Sequence, residues 1–340
     1  MTRPFRLGVL TRVYAPDSSP RVLHDTLALI EAAEALGFDS AWVAQHHFGS
    51  ETGRLPSPLV LLAAAARRTR RIALGTGVIV LPLEAALRVA EDAAVLDALA
   101  DGRLQLGVGA GFKADVFAAF GRDFGARAAL QADALAALRR ALDGAPLTPA
   151  GATLQPPAPT LAARVWQATG DTEAVARNGH GLIVARTRPE QDGEAVLVAR
   201  YRRAWSHPGA PRVALVRAVV PGADAAGVEA TIGPDILRYA ARLAAAGGAP
   251  APGPADLPAL LDRFGVLRGA PADIAAALQI DPALAGATEL VVQVQTAGTS
   301  QRDALHRLET VAGAIAPALG WRPASAGPAA ASLTSDPIPT

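Results

Sequence analysis

Two adjacent histidines, His46 and His47, are the residues of this sequence best suited to proton-transfer chemistry. They directly follow residues 40–44, a short apolar run that predicts a β-strand. Adjacent side chains at a strand end point to opposite sides, so one imidazole can face a site while the other packs against the wall. That geometry makes a poor metal pair, and we expect no metal here. A polar loop without a chemical role is the alternative interpretation.

Glycines interrupt two of the predicted strands. Gly75, Thr76 and Gly77 lie within the apolar run 72–81, and the segment 107–111 (GVGAG) ends the run 103–108. Glycine weakens a strand unless a ligand or another backbone approaches closely, so both segments indicate room for a cofactor. Tight packing of helix on strand is the alternative. The segment 107–111 lacks the GxGxxG spacing of a dinucleotide loop.

Two features predict an anion site. Arg127 opens a helix predicted over residues 125–143, although a solvated surface charge is the alternative. Residues 169–172 (TGDT) join a predicted strand to a helix, where free backbone N–H groups and hydroxyls can bind an anion. Asp171 would repel a phosphate, so we expect its carboxylate to cap the helix. Ordinary capping is the alternative interpretation of the whole segment.

These candidates need a scaffold that brings strand ends together, and the order of elements supplies one. Apolar strands alternate with amphipathic helices, which implies that the strands pair in parallel through crossover connections. The pattern predicts an α/β fold, a (β/α)8 TIM barrel with insertions at residues 144–159 and 247–258. The predicted strands cover residues 6–13, 40–44, 72–81, 103–108, 164–168, 181–185, 212–220 and 289–295. The principal predicted helices cover residues 21–36, 58–69, 84–100, 125–143 and 300–319. We expect the barrel over residues 1–322 and a disordered C-terminal tail over 323–340.

Composition excludes several classes of function. Hydrophobic residues make up 51% of the 340, enough for a large core, and the net charge of +1 gives no case for a nucleic-acid partner. The absence of cysteine excludes disulfides, thiolate metal sites and cysteine nucleophiles. No run approaches the roughly 20 apolar residues of a membrane span, and no secretory signal begins the sequence. We expect a cytoplasmic protein with no membrane partner.

The order and spacing of several segments resemble the luciferase-like monooxygenases, which include the bacterial luciferase subunits. Those segments are residues 36–48 (LGFDSAWVAQHHF), 72–82 (IALGTGVIVLP), 87–97 (LRVAEDAAVLD) and 102–112 (GRLQLGVGAGF). The resemblance is strongest to an FMN-dependent subgroup of uncharacterised oxidoreductases, whose later signature is matched by residues 165–169 (VWQAT) and 185–189 (ARTRP). It extends over residues 5–322.

The resemblance implies a (β/α)8 barrel that holds FMN at the carboxyl ends of its strands. It implies that His46 lies beside the flavin ring and transfers protons, and that a non-prolyl cis peptide falls at Gly77–Val78. Some relatives carry an arginine for the phosphate where this sequence has Ala110, so Arg127 and residues 169–172 are the other candidates. The FMN-binding residues implied are Thr76, Gly77, Gly109, Ala110, Arg127, Ala168, Thr169, Gly170 and Thr172.

The activity that the resemblance implies is that of a two-component monooxygenase. A separate flavin reductase supplies FMNH2, which reacts with O2 to a C4a-hydroperoxide that transfers one oxygen to a small organic substrate and releases the other as water. The alternatives are hydride transfer with reduced F420 and flavin binding without turnover. A phosphosugar-binding barrel fits the fold but leaves the QHHF stretch at 45–48 unexplained. The family also implies a homodimer that packs through the helices at 58–69 and 84–100.

Overall fold

The computed structural model describes residues 4–14, 20–49, 53–185, 193–246 and 249–323. The strands are β1 (Arg6–Thr11), β2 (Ser40–Val43), β3 (Ala73–Thr76), β4 (Ile79–Val80), β5 (Leu104–Gly109), β6 (Val165–Ala168), β7 (Gly181–Ala185), β8 (Val213–Pro221), β9 (Val266–Gly269) and β10 (Glu289–Gln293). The α-helices are α1 (Arg21–Ala35), α2 (Pro58–Arg68), α3 (Ala86–Leu99), α4 (Ala114–Ala119), α5 (Arg127–Leu142), α6 (Thr172–Arg177), α7 (Glu194–Ala204), α8 (Ala225–Ala246), α9 (Leu257–Arg263), α10 (Pro271–Gln279), α11 (Gln301–Thr310) and α12 (Ala316–Ala318). Short 3-10 turns occupy Leu81–Leu83, Ala162–Arg164, Pro254–Asp256 and Leu284–Gly286, and a π-helical turn, Val311–Ile315, joins α11 to α12.

Eight parallel strands close into a barrel, which confirms the predicted fold class. Their order around the barrel is β1, β2, β3, β5, β6, β7, β8 and β10, and β10 pairs back with β1. Each of the eight corresponds to a strand predicted from the sequence. The connections between them carry helices, as parallel pairing requires.

Two strands lie outside the eight-fold closure, and both depart from the sequence prediction. The strand predicted over 72–81 is divided into β3 and β4 by a cis peptide bond between Gly77 and Val78, the position that the family resemblance implied. The unpredicted β9 pairs with the last four residues of β8, from Ala218 to Pro221, whereas β10 pairs with the first part of that strand. The carboxyl end of β8 therefore pairs with β9 instead of β10.

Two tryptophans fill the barrel interior and account for two of its glycines. The rings of Trp42 and Trp166 meet edge to face, with centroids 5.5 Å apart and planes at 87°. A Cβ atom at Gly75 would lie 2.2 Å from Trp42, and one at Gly181 would lie 2.2 Å from Trp166. Gly75 therefore makes room for a side chain of the neighbouring strand, which is neither the ligand interpretation nor the packing of a helix on the strand.

The carboxyl ends of the parallel strands share one edge of the barrel, the barrel mouth. Register places Gly109 of β5 beside Ala168 of β6 and beside Val80 of β4. The segments after β1, β2, β4, β5 and β6 consequently gather at this edge, where the candidate residues were predicted.

The insertion at 144–159 contains no helix or strand, and all of its residues belong to the described part of the chain. In the second insertion α9 begins at Leu257, while residues 247 and 248 lie outside the described residues. So do residues 186–189 of the family signature and residues 324–340, so the disordered tail stays a prediction. Among the helices that the structure describes, none is long and apolar enough to cross a membrane.

Candidate active site

His46 lies three residues beyond β2 at the barrel mouth and is 9% exposed. Its backbone N–H donates to the Leu55 carbonyl at 2.8 Å. Its ring packs against Gly53, whose φ of +130° and lack of a Cβ leave the space that the imidazole fills. Burial lowers the pKa of His46 well below its ordinary value, and the charges of Arg12 and Lys113 lower it further. The imidazole is therefore neutral near pH 7, with one nitrogen to donate and one to accept.

The preceding residue, Gln45, fixes the segment that carries His46. Its side-chain carbonyl accepts from the Val80 backbone N–H at 2.7 Å. Its amide nitrogen donates to the Glu84 carboxylate at 2.7 Å and to the Pro56 carbonyl at 2.9 Å. This buried amide joins the segment after β2 to β4 and to the start of α3. Sequence reasoning assigned Gln45 no role; a long polar side chain directly after an apolar strand was the available signal.

His47 belongs to an aromatic cluster. Its ring meets Phe120 at 4.8 Å and Phe48 at 5.8 Å between centroids, and Phe48 is 79% exposed. The Nε2 atom of His47 is buried and has no hydrogen-bond partner among the residues the structure describes. Burial is the main cause that lowers the pKa of His47. His46 and His47 both line a small cleft of about 30 Å³ together with Gly111 and Lys113.

Thr76, Gly77, Gly109 and Ala168, four of the predicted FMN residues, lie on neighbouring strands. The Thr76 hydroxyl donates to the Gly107 carbonyl at 2.7 Å and accepts from the Gly107 N–H at 2.8 Å, so it is used within the sheet. A Cβ atom at Gly109 would lie 2.9 Å from Val78, beside the Ala168 carbonyl. The small residues therefore allow the backbone after β3 to approach β5. The Gly77 N–H donates to the Val43 carbonyl at 2.8 Å, so this backbone group is also used within the sheet.

The predicted phosphate residues are distributed over two helix starts. Arg127 begins α5 with its guanidinium 4.2 Å from the centroid of the Phe124 ring, and it donates to the Phe124 carbonyl at 3.1 Å. Ala110, which follows β5, has no side chain that could replace the arginine of relatives. Arg127 is thus engaged in its own loop, and its role toward phosphate stays a prediction.

Residues 169–172, at the start of α6, are less engaged in contacts within the protein than Arg127 is. The Asp171 carboxylate accepts from the Ala174 N–H at 3.0 Å, which confirms that Asp171 caps the helix. The Thr169 hydroxyl accepts from the Asp171 N–H at 3.2 Å, and a Cβ atom at Gly170 would meet nothing within 4 Å. The Thr172 hydroxyl is buried without a hydrogen-bond partner in the described part of the chain. A buried hydroxyl of this kind needs a partner, and a phosphate oxygen is a suitable one.

A second cavity is much larger than the cleft beside His46 and His47. It measures about 470 Å³ and extends along β8, β10 and α8, with Arg12 and Tyr14 from the end of β1 in its wall. Sequence reasoning took residues 6–13 as an apolar strand and did not identify Arg12. A lone cation at the end of that run was the signal. Within the described ranges no cluster of three or more His, Asp or Glu residues is arranged to hold a metal ion.

Comparison with solved structures shows the same architecture. The monooxygenase RslO1 from Streptomyces bottropensis superimposes with a TM-score of 0.77 at 24% identity, covering 92% of this chain and 99% of that one. The oxygenating constituent of 3,6-diketocamphane monooxygenase from Pseudomonas putida, in complex with FMN, gives a TM-score of 0.74 at 17% identity and covers 92% and 98%. An F420-dependent secondary alcohol dehydrogenase gives 0.65 at 14% identity and covers 94% and 99%. These likenesses show the fold.

Sequence comparison shows the family. The uncharacterized protein y4vJ of Sinorhizobium fredii is 30% identical over 244 residues, 67% of this chain and 69% of its own length. Alignments with other curated relatives span 23–36% of their lengths. The family model described as "Luciferase-like monooxygenase" matches residues 4–312. This chain belongs to the luciferase-like monooxygenase family.

Proposed function

We propose that this protein is a two-component flavin monooxygenase. It would take FMNH2 from a separate flavin reductase, insert one atom of O2 into a small organic substrate and release the other as water. The observation that carries the proposal is the buried, neutral imidazole of His46 at the barrel mouth of a chain that belongs to the luciferase-like monooxygenases. A neutral imidazole can accept a proton on one nitrogen and donate from the other.

The residues at the mouth fit reduced FMN in two respects. Gly77 directly follows β3, and Gly109 and Ala168 end β5 and β6; none of the three has more than a methyl group as side chain, which suits the approach of a flat ring to the backbone. The unpartnered Thr172 hydroxyl and the open Gly170 suit a phosphate, and the Asp171 carboxylate is already used as a cap. Thr76, Ala110, Arg127 and Thr169 remain part of the proposed site, with Thr76 contributing its backbone.

Bound FMNH2 would supply the two electrons and activate O2. The chain's contribution is to hold the reacting groups in a buried site and to move protons. Nearby positive charges from Arg12 and Lys113 disfavour imidazolium, so a proton taken up by the His46 ring would be passed on readily. Gln45 acts as a positioning residue, because its three hydrogen bonds fix the backbone next to His46.

A rapid-mixing experiment with His46→Gln tests the role of this histidine. The protein is loaded with chemically reduced FMN and mixed with O2, while FMN absorbance and H2O2 release are followed. The wild type should release H2O2 more slowly than free FMNH2 does. His46→Gln should change the rate of H2O2 release by about 10²-fold, the usual contribution of a positioned acid or base. His306→Gln, an exposed histidine on α11, is the control. Equal rates for His46→Gln and the wild type would contradict the proposed role.

Hydride transfer with F420 is the second candidate, favoured by the F420-dependent enzyme with the same fold. Reduced F420 in place of FMNH2 would need no oxygen. Binding of reduced F420 without binding of FMNH2 would select this alternative, and FMNH2 binding without O2-dependent turnover would select a non-catalytic flavin protein.

The proposed homodimer rests on exposed apolar side chains of α2 and α3. Val60 is 72% exposed, and Leu87, Val95 and Leu99 are each exposed by more than 40%. Side chains of this kind on two adjacent helices suit a subunit interface. The homodimer, the separate reductase and the cytoplasmic location stay predictions, and sedimentation equilibrium tests the first.

A further inference from the structure

We propose that the large cavity binds an apolar organic substrate that carries a carboxylate, and that Arg12, Tyr14 and Tyr239 bind this carboxylate. The cavity is the 470 Å³ space between β8, β10 and α8. The inference rests on the proposed function in one respect, namely that the bound molecule is the one oxygenated. The binding itself can be tested without flavin.

Arg12 supplies the positive charge at one end of the cavity. It follows Thr11, the last residue of β1, and is mostly withdrawn from solvent. In the part of the chain that the structure describes, Arg12 forms no ion pair with a carboxylate, and the hydroxyls of Tyr14 and Tyr239 lie close enough to act on the pKa of its guanidinium. The Tyr239 ring also lies 6.0 Å from the Arg12 guanidinium carbon. A guanidinium withdrawn from water without a countercharge is well prepared for an anionic ligand.

The two tyrosines add directed donors. A guanidinium has no acceptor, so neither tyrosine hydroxyl can donate its proton to Arg12. The hydroxyl protons of Tyr14 and Tyr239 are then left to donate elsewhere. Burial raises the pKa of Tyr14, so its hydroxyl stays protonated at physiological pH. The Arg12 guanidinium and the hydroxyls of Tyr14 and Tyr239 are thus three donor groups at one end of the cavity.

The acidic residues that line the cavity each lie beside a cation other than Arg12. Asp235 accepts from Arg238, from the Thr296 hydroxyl and from the Gly298 N–H, the last at 2.7 Å. Asp281 pairs with Arg217 at 2.7 Å, and the Glu194 carboxylate lies 3.9 Å from the same guanidinium. Arg12 is therefore left without a carboxylate partner among the described residues, which favours an anion over a cationic group at its end of the cavity.

The remaining walls are largely apolar, with Val216, Val220, Ile236, Phe264 and Val266 among the lining residues. A cavity of about 470 Å³ falls in the usual range of roughly 300–1,000 Å³ for small-molecule sites. A hydrocarbon body with a single carboxylate matches this combination of apolar wall and cationic end.

The cationic end is adjacent to the proposed proton-transfer group. A Cβ atom at Gly53 would lie 2.4 Å from the His46 ring and 2.5 Å from the Arg12 carbonyl, so one glycine separates the two residues. Arg54 N–H also donates to the Arg12 carbonyl at 3.2 Å. The Arg12 charge also acts on the pKa of His46, so a carboxylate held at Arg12 would anchor the substrate near His46.

Calorimetry on the purified full-length protein tests the proposal. The probes are a series of phenylalkanoates, from phenylacetate to 6-phenylhexanoate, and the primary amide of each. At least one acid should bind at least about tenfold more tightly than its amide, the effect expected of hydrogen bonds to a charged group. Arg12→Gln should remove this preference while leaving amide binding unchanged, which also shows that the variant has folded.

Three further measurements complete the test. Tyr239→Phe should reduce the preference for the acid by a few-fold, and Arg21→Gln, an exposed arginine on α1, should leave it unchanged. FMN affinity measured on Arg12→Gln distinguishes a substrate carboxylate from a flavin phosphate, since only the latter predicts weaker FMN binding. The proposal is overturned if no acid binds more tightly than its amide, or if Arg12→Gln weakens FMN binding and leaves the acid preference intact. Failure of FMNH2 turnover alone would overturn the proposed function and leave carboxylate binding in place.

Discussion

Replacing Gln45 with alanine should loosen the segment that carries His46. The buried amide of Gln45 makes three hydrogen bonds, at 2.7, 2.7 and 2.9 Å, that join the segment after β2 to β4, to the loop before α2 and to the residues just before α3. Alanine removes all three and leaves the Val80 N–H and the Pro56 carbonyl without this partner. No water replaces the lost groups easily, because Gln45 is only 5% exposed.

The size of the effect follows from the partners. The bonds to Val80 and Pro56 join neutral groups and contribute about 1 kcal/mol each, and a bond to a carboxylate contributes about 1.5–3 kcal/mol. Glu84 is partly exposed, so solvent recovers part of its contribution. We expect Gln45→Ala to lower the free energy of unfolding by about 3 kcal/mol.

Urea denaturation followed by far-UV circular dichroism measures this loss. Gln279→Ala is the matched control, since Gln279 is exposed and makes a single long bond of 3.3 Å to the Ala318 carbonyl. Its free energy of unfolding should stay within about 0.5 kcal/mol of the wild type. A loss below about 1 kcal/mol for Gln45→Ala would refute the reasoning, because the three bonds would then contribute little.

Two further predictions concern buried polar groups. Burial lowers the pKa of His180 to about 4, so the neutral form stabilises the fold above about pH 6.5, and this contribution is lost as the pH falls toward 4. The loss amounts to about 3 kcal/mol. It should appear as a change in the difference between the free energies of unfolding of the wild type and His180→Gln, measured between pH 7 and 4. A difference that does not depend on pH would contradict the lowered pKa of His180. Thr172→Val should weaken FMN binding by about 5–10-fold in a fluorescence titration without lowering stability, since the hydroxyl has no protein partner among the residues described. Unchanged FMN affinity would show that Thr172 does not bind the cofactor.

The eight barrel strands were predictable because their signal is local. Strands covered by helices on one side and a packed interior on the other are apolar throughout, as β5 illustrates with all six residues buried. The unpredicted β9 has only four residues, Val266–Gly269, and two of them are partly exposed. β9 forms because the end of β8 does not pair with β10, so its backbone groups are available to another strand. This pairing depends on the tertiary fold and has no signal in the local sequence.

The candidate site was predictable in its position but not in its contacts. The family motif led to His46, yet the three bonds of Gln45 join residues that are up to 39 positions apart in the sequence. Gly75 suggested a ligand but in fact makes room for Trp42. Arg12 escaped notice because Tyr239, which lies beside it, comes from α8 and meets the segment after β1 only in the folded barrel.

Titration of the purified protein with FMN, FMNH2 and reduced F420 under anaerobic conditions tests directly whether this protein uses reduced FMN. We predict that FMNH2 binds with a dissociation constant of about 1 μM, more tightly than the other two. Binding of reduced F420 alone, or of none of the three, would contradict it.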